Sequence, residues 1–76
     1  MSRLPQVSGT RLLRALGRAG FREAHRKGRH VMVVHCNDPT RLAVVPLHKG
    51  KLLPPGTLRA VLKGAGLTVE ELRRLL

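Results

Sequence analysis

Four histidines, His25, His30, His35 and His48, are the only side chains in this 76-residue sequence that ordinarily titrate near neutrality, at about 6.5. Proton transfer at neutral pH therefore falls to them. His30 stands out by its neighbours, because it directly follows Lys27-Gly28-Arg29. An imidazole, two fixed cations and the exposed amides of a tight turn then gather at one hairpin, and a phosphodiester suits such a place. On RNA, a neutral imidazole takes the 2′-hydroxyl proton while cations stabilise the charge growing on phosphate, without a metal. A general base contributes about 10² to 10⁴-fold, enough for a slow ribonuclease. His48 lies beside Lys49 and Lys51 and offers a general acid or a phosphate contact. The plainer reading of a strand or loop histidine is a packing or solvated residue, and it is the reading given to His25 and His35.

Charge selects the partner. Fifteen Lys and Arg against four Asp and Glu give +11, and a field of that size attracts polyanions, anionic membrane or an acidic protein. Phe21 is the single aromatic residue, so no stacking platform for bases can be built, and RNA would be held through phosphates and shape. Cys36 is alone and, with scattered histidines, offers no disulfide and no recognisable zinc spacing. It is expected to be a small, semi-buried apolar residue. No window has the apolar length of a membrane span, and Met1 to Gly9 lacks the apolar core of a leader, so a cytoplasmic protein is expected. A chain of 76 residues has room for one domain, 1–76, whose core is too small for a large enclosed active site.

The elements that must position these groups follow from period and punctuation. Ser8 suits an N-cap, and Leu12, Leu13, Leu16 and Ala19 continue at helical spacing to Gly20, which predicts a helix over 9–19. Its Arg11, Arg14 and Arg18 fall along one side, either as a phosphate-facing stripe or as a solvated face. Phe21 to Arg26 reads as a weak strand, Lys27-Gly28 as a reversal, and His30 to His35 as the central strand. Alternation there sends His30, Met32 and Val34 to one face and Val31, Val33 and His35 to the other. Both faces carry apolar groups, so one face awaits a partner; Met32 itself is expected in the core. Cys36 to Thr40 is a turn, and Leu42 to Val45 a third strand closed by Pro46. A basic loop over 47–53 leads through Pro54 and Pro55 into a helix starting near Gly56 or Thr57. Leu58, Val61, Leu62 and Ala65 form its apolar stripe, and Gly66 is its stop. Thr68 with Glu71 is a capping box for a short last helix, with Leu67 and Leu72 as its hydrophobic staple. The expected fold is α+β, in the order α-β-β-β-α plus a short C-terminal helix, with both main helices on one face of a three-stranded antiparallel sheet.

Ser8-Gly9, Ala19-Gly20-Phe21, Lys27-Gly28-Arg29-His30, Val45-Pro46-Leu47-His48 and the run Gly56 to Lys63 with Ala65-Gly66-Leu67 together resemble the HicA toxins of bacterial toxin–antitoxin systems. The resemblance covers about 8–67. It implies a fold like that of a double-stranded RNA-binding domain. It also implies a metal-independent, cofactor-free mRNA interferase, halted by an acidic antitoxin of the HicB type that covers its site. His30 corresponds to the family's catalytic histidine. Arg29 stands where the family usually has Ser, and Val31 where a second His is frequent.

Two function classes therefore stand side by side: an endoribonuclease with His30 as general base, and a non-catalytic RNA-binding module. Both use the same candidate RNA contacts, Lys27, Gly28, Arg29, His48, Lys49, Lys51 and Arg59. Membrane binding lacks the amphipathic, aromatic-anchored helix it needs.

Overall fold

The computed structural model describes residues 3–76. Met1 and Ser2, the first residues of the segment assessed above as a leader, lie outside them. The chain runs α1 (Gly9–Arg18), β1 (Phe21–Lys27), β2 (His30–His35), β3 (Leu42–Pro46), α2 (Pro55–Ala65) and α3 (Val69–Leu75). The strands form one antiparallel sheet in the order β1-β2-β3. The α+β fold of the double-stranded RNA-binding type expected from the sequence is the fold observed.

Local chemistry explains each helix. The Ser8 hydroxyl accepts the Arg11 N–H at 3.2 Å and caps α1, satisfying one of its orphan donors. Helix α2 begins at Pro55, before the expected Gly56 or Thr57, because a proline at the first helical position gives up an amide that has no partner there anyway. It ends at Gly66, whose φ of 69° only glycine adopts without cost. Thr68 and Glu71 make a full capping box for α3, with reciprocal bonds of 3.0 and 3.1 Å. The Thr68 N–H first, and the Thr68 hydroxyl after it, hold the Glu71 carboxyl below its ordinary pKa.

Strand β1 reads weakly in sequence for two reasons. Only Phe21 of its seven residues is buried. The register also slips between Glu23 and His25, a bulge at Ala24 that breaks the two-residue period. Strands β2 and β3 alternate cleanly, with Val31, Val33, Ala43 and Val45 buried. They meet Leu12 and Leu16 of α1, Leu58, Val61 and Leu62 of α2 and Leu72 of α3 in one hydrophobic core. Each fully buried Leu or Val contributes about 1.5–3 kcal/mol relative to an exposed one. Met32 is not among them. It lies half-buried on the other face with His30 and Val34, because the helices cover only the Val31 and Val33 side.

Two glycines let the helices approach β3. A Cβ on Gly9 would sit 2.3 Å from the Pro46 carbonyl oxygen, and one on Gly64 would sit 2.4 Å from that of Leu42. The start of α1 and the end of α2 thus clasp the two ends of β3, backbone against backbone. Helix α3 is tied to the start of the chain and to α1: Arg73 donates to the Arg3 carbonyl, and Arg18 donates to that of Leu75 at 2.7 Å. All three arginines of the basic stripe are exposed, but Arg18 is thereby engaged with the last turn of α3.

Candidate RNA-processing site

The hairpin between β1 and β2 is built by Gly28. Lys27 pairs with His30, so the connection is the two residues Gly28-Arg29. Gly28 has φ 58° and Arg29 has a negative φ, the combination of a type II′ turn, whose twist matches that of its strands. Lys27 is therefore directly opposite His30 across the ladder, about 5 Å away in backbone terms. On its other side His30 pairs with Pro46. His30 is exposed. It projects from the sheet face that no helix covers, since its neighbour Val31 is in the core.

The remaining cations gather on the other side of this end of the sheet. The Leu47 N–H donates to the Arg29 carbonyl at 2.6 Å, extending the β2–β3 pairing into the basic loop. A β-turn follows, closed by the Lys51 N–H on the His48 carbonyl at 3.0 Å, with Gly50 at φ 73° in its third position as a type II turn requires. Arg29, His48, Lys49 and Gly50 together with Ser8 to Thr10 line a cavity of about 380 Å³. Its lining includes no carboxylate. The structure thus brings Arg29, His48 and Lys49 together from segments far apart in the chain. Lys27 and His30 are outside the cavity lining, on the sheet face that no helix covers, and Lys51 and Arg59 are outside it too, all four exposed.

Thr10 is the wall residue that sequence reading missed. Its hydroxyl looks like any second residue of a helix until the fold sets it beside Arg29. Two expectations are corrected. Cys36 is exposed, not semi-buried, because it follows the last residue of β2 into the turn. Met32 faces the open side of the sheet and not the core, for the reason given with the fold. His35 packs edge-on against Phe21 with centroids 5.1 Å apart, and its Nδ1 accepts the Asn37 N–H at 3.1 Å.

A second cavity of about 360 Å³ lies between the end of α1 and α3, lined by residues including Ala19, Arg41, Glu71 and Arg74. Arg41 there serves the fold. Its Nε donates to the Ala65 carbonyl at 2.7 Å at the end of α2, and its guanidinium stacks 5.3 Å from the Phe21 ring. In the same region Asp38 is held below its ordinary pKa, first by the Thr40 hydroxyl at 2.6 Å and then by the Thr40 N–H. Among the described residues no three His, Cys, Asp or Glu side chains converge as metal ligands, and no helix is long and apolar enough to cross a membrane.

Comparison with protein families places this arrangement. The family model described as the HicA toxin of bacterial toxin–antitoxin systems matches residues 9–67, well over half of the chain. The chain belongs to the HicA toxin family. No curated protein matches it. The family match spans both halves of the site, from the start of this toxin's α1 through the β1–β2 hairpin to the loop over 47–50 and α2. As a member of a toxin–antitoxin family, the toxin has an antitoxin for partner.

Proposed function

We propose that this HicA-family toxin is an endoribonuclease that cuts mRNA without a metal and so stops translation, until an acidic antitoxin of the HicB type covers its site. One observation carries the reading: an exposed imidazole at the end of the central strand, opposite Lys27 and next in the chain to Arg29, which lines a cation-edged cavity with His48 and Lys49 on the other side of that sheet end. In this reading RNA lies across the hairpin with its phosphates against these cations, and Lys51 and Arg59 extend the footprint. His30 accepts the proton of a ribose 2′-hydroxyl. The 2′-oxygen then forms a bond to phosphorus, the bond to the 5′-oxygen breaks, and that oxygen takes a proton from water, while His48 serves as a phosphate contact. The products are a 2′,3′-cyclic phosphate and a 5′-hydroxyl. Lys27 and Arg29 stabilise the charge that develops on the phosphate in between.

The test is cleavage of single-stranded RNA by purified toxin with a chelator present. Wild type is expected to cut. His30→Ala is expected to be inactive, with an unchanged circular dichroism spectrum and unchanged affinity for RNA. His48→Ala is expected to weaken RNA binding and to leave the rate of the bound complex nearly unchanged, as loss of a phosphate contact does. Binding without scission by the wild type would establish the non-catalytic RNA-binding module instead.

A further inference from the structure

The cations and the imidazole lie on opposite sides of one sheet end. Neighbouring residues of a strand point to opposite faces. Val31 is in the core and His30 is on the open face, so Arg29, whose carbonyl accepts the Leu47 N–H and which lines the cavity with Leu47, belongs to the helix side. The tip that divides the two sides is the two-residue turn Gly28-Arg29. A ligand that touches both sides has to pass over that tip. The tip is thin there: Gly28 has no side chain, and nothing lies within 4 Å of the place a Cβ would take.

In the other direction the cavity continues onto α1. Thr10 lines it, and Arg14 and Arg18 follow Thr10 at four-residue intervals along one exposed row, with Arg11 beside them. From Thr10 to Arg18 the row is about 12 Å long. Arg18 ends it, with its guanidinium on the Leu75 carbonyl. Among the described residues the side chains of Arg11 and Arg14 have neither a hydrogen bond nor an ion pair. Arg11 moreover stands in the first turn of α1, where the helix dipole disfavours a cation. No carboxylate balances them locally: Glu23 is paired with Arg26, Asp38 is in the β2–β3 turn, and Glu70 and Glu71 begin α3. A helix row of free cations that starts at a cation-edged cavity is the electrostatic footprint of a phosphate backbone.

We propose that the toxin takes an unpaired RNA strand bent over the Gly28-Arg29 turn, and that Arg11 and Arg14 of α1 are part of its binding site. The scissile phosphate lies on the open face at His30 and Lys27. The phosphates to one side of it enter the cavity of Arg29, His48 and Lys49, and the next ones run along α1. The cut rests on the endoribonuclease reading; the path of the strand rests on the surface alone. The bend matters to the chemistry. Attack by the 2′-oxygen needs that oxygen in line with phosphorus and the departing 5′-oxygen, and a regular duplex holds it out of line. A strand turned sharply at this point brings the three atoms into line, whereas a stiff duplex cannot follow the tip from one face to the other. Although the fold is of the double-stranded RNA-binding type, the substrate is therefore single-stranded.

The probes are a long unpaired deoxynucleotide strand with one ribose in it, the same strand with that ribose 2′-O-methylated and so uncleavable, and an uncleavable trinucleotide too short to reach α1. Arg11→Ala with Arg14→Ala is expected to bind the long uncleavable strand about tenfold more weakly at about 0.15 M salt. Its slope of log affinity against log salt should be shallower by about 1.4, at about 0.7 for each of two phosphates. The variant should bind the trinucleotide like wild type, cut saturating RNA at the wild-type rate, and melt no lower, since alanine is a good helix former. Lys63→Ala, which removes an exposed cation from α2, should leave both affinities unchanged. Annealing the cleavable strand to its complement should slow cutting by at least about 100-fold. Wild-type affinity of the double variant for the long strand would remove α1 from the site. An equal loss on the long and short probes would assign the effect to net charge and overturn the path. A duplex cut as fast as the single strand would refute the bend. If no form of the toxin cuts RNA, the nuclease reading fails, while the affinities for the uncleavable strands still decide the path.

Discussion

Gly9→Ala is the substitution that most directly couples the packing of this toxin to its proposed chemistry. The added Cβ would lie 2.3 Å from the Pro46 carbonyl oxygen and 2.9 Å from Leu47 Cδ2. Ordinary contact begins at 3.4 Å, so α1 and the end of β3 must part by about 1 Å. Neither backbone yields easily, and overpacking of this kind costs about 1–3 kcal/mol. For a domain of this size each kcal/mol is about 4–8 °C in Tm. The movement also falls on Pro46, the ladder partner of His30, and on Leu47, which is bonded to Arg29. A misplacement of about 1 Å between reacting groups can cost about 10²-fold in rate. The expectation is therefore a Tm lower by at least about 4 °C, and cleavage slowed by up to about 10²-fold. Gly17→Ala in the same helix is the control, because nothing lies within 4 Å of its added Cβ. It relieves the backbone entropy of a helical glycine and is expected to raise stability by about 0.5–1 kcal/mol with an unchanged rate. Thermal melts and initial rates on one RNA suffice. If Gly9→Ala melts and cuts like Gly17→Ala, the close approach at Gly9 does not set the spacing of α1 and β3, and the reasoning is wrong.

Two further outcomes are expected. Asp38 and Glu71 both have carboxyls held below their ordinary pKa by threonine hydrogen bonds, so their stabilisation is complete above the ordinary carboxylate range and disappears as pH falls through the depressed values. Tm should fall on acidification below about pH 4. Thr68→Ala should melt lower at neutral pH, by the roughly 1 kcal/mol that a helix cap supplies, and should be less sensitive to acid; an acid dependence equal to wild type would count against the capping box as its source. Arg29→Ala with Lys49→Ala should reduce the slope of log affinity for RNA against log salt by about 0.7 for each single-strand phosphate that these side chains neutralise. An unaltered slope would show that these cations do not meet phosphates.

Much of the molecule is legible without its structure because helix and strand are local periods. The stripe of Leu58, Val61, Leu62 and Ala65, the caps at Ser8, Thr68 and Gly66, and the alternation of Val31 and Val33 each depend on neighbours a few residues away. So does the position of His30 next to a turn that needs Gly28. Strand β1 is harder to read, because a bulge at Ala24 and a row of exposed polar residues erase its period.

The order of elements, the excess of positive charge and the hairpin that presents His30 are all written in local pattern and composition. Tertiary structure decided which face of the central strand is covered. Both faces of β2 carry valines or methionine, and alternation cannot rank two apolar faces; the close approach of α1 and α2 to β3 at Gly9 and Gly64, and the packing of Leu12, Leu16, Leu58 and Leu62, assign one of them to the core. That choice puts Met32, Leu42 and Val44 in the open beside His30. The cavity of Arg29, His48 and Lys49 is likewise a product of the fold, since it joins the start of the first helix to a turn about forty residues further along the chain. Spacing along a chain reports only what lies within one element, and proximity between elements arises when their buried faces meet.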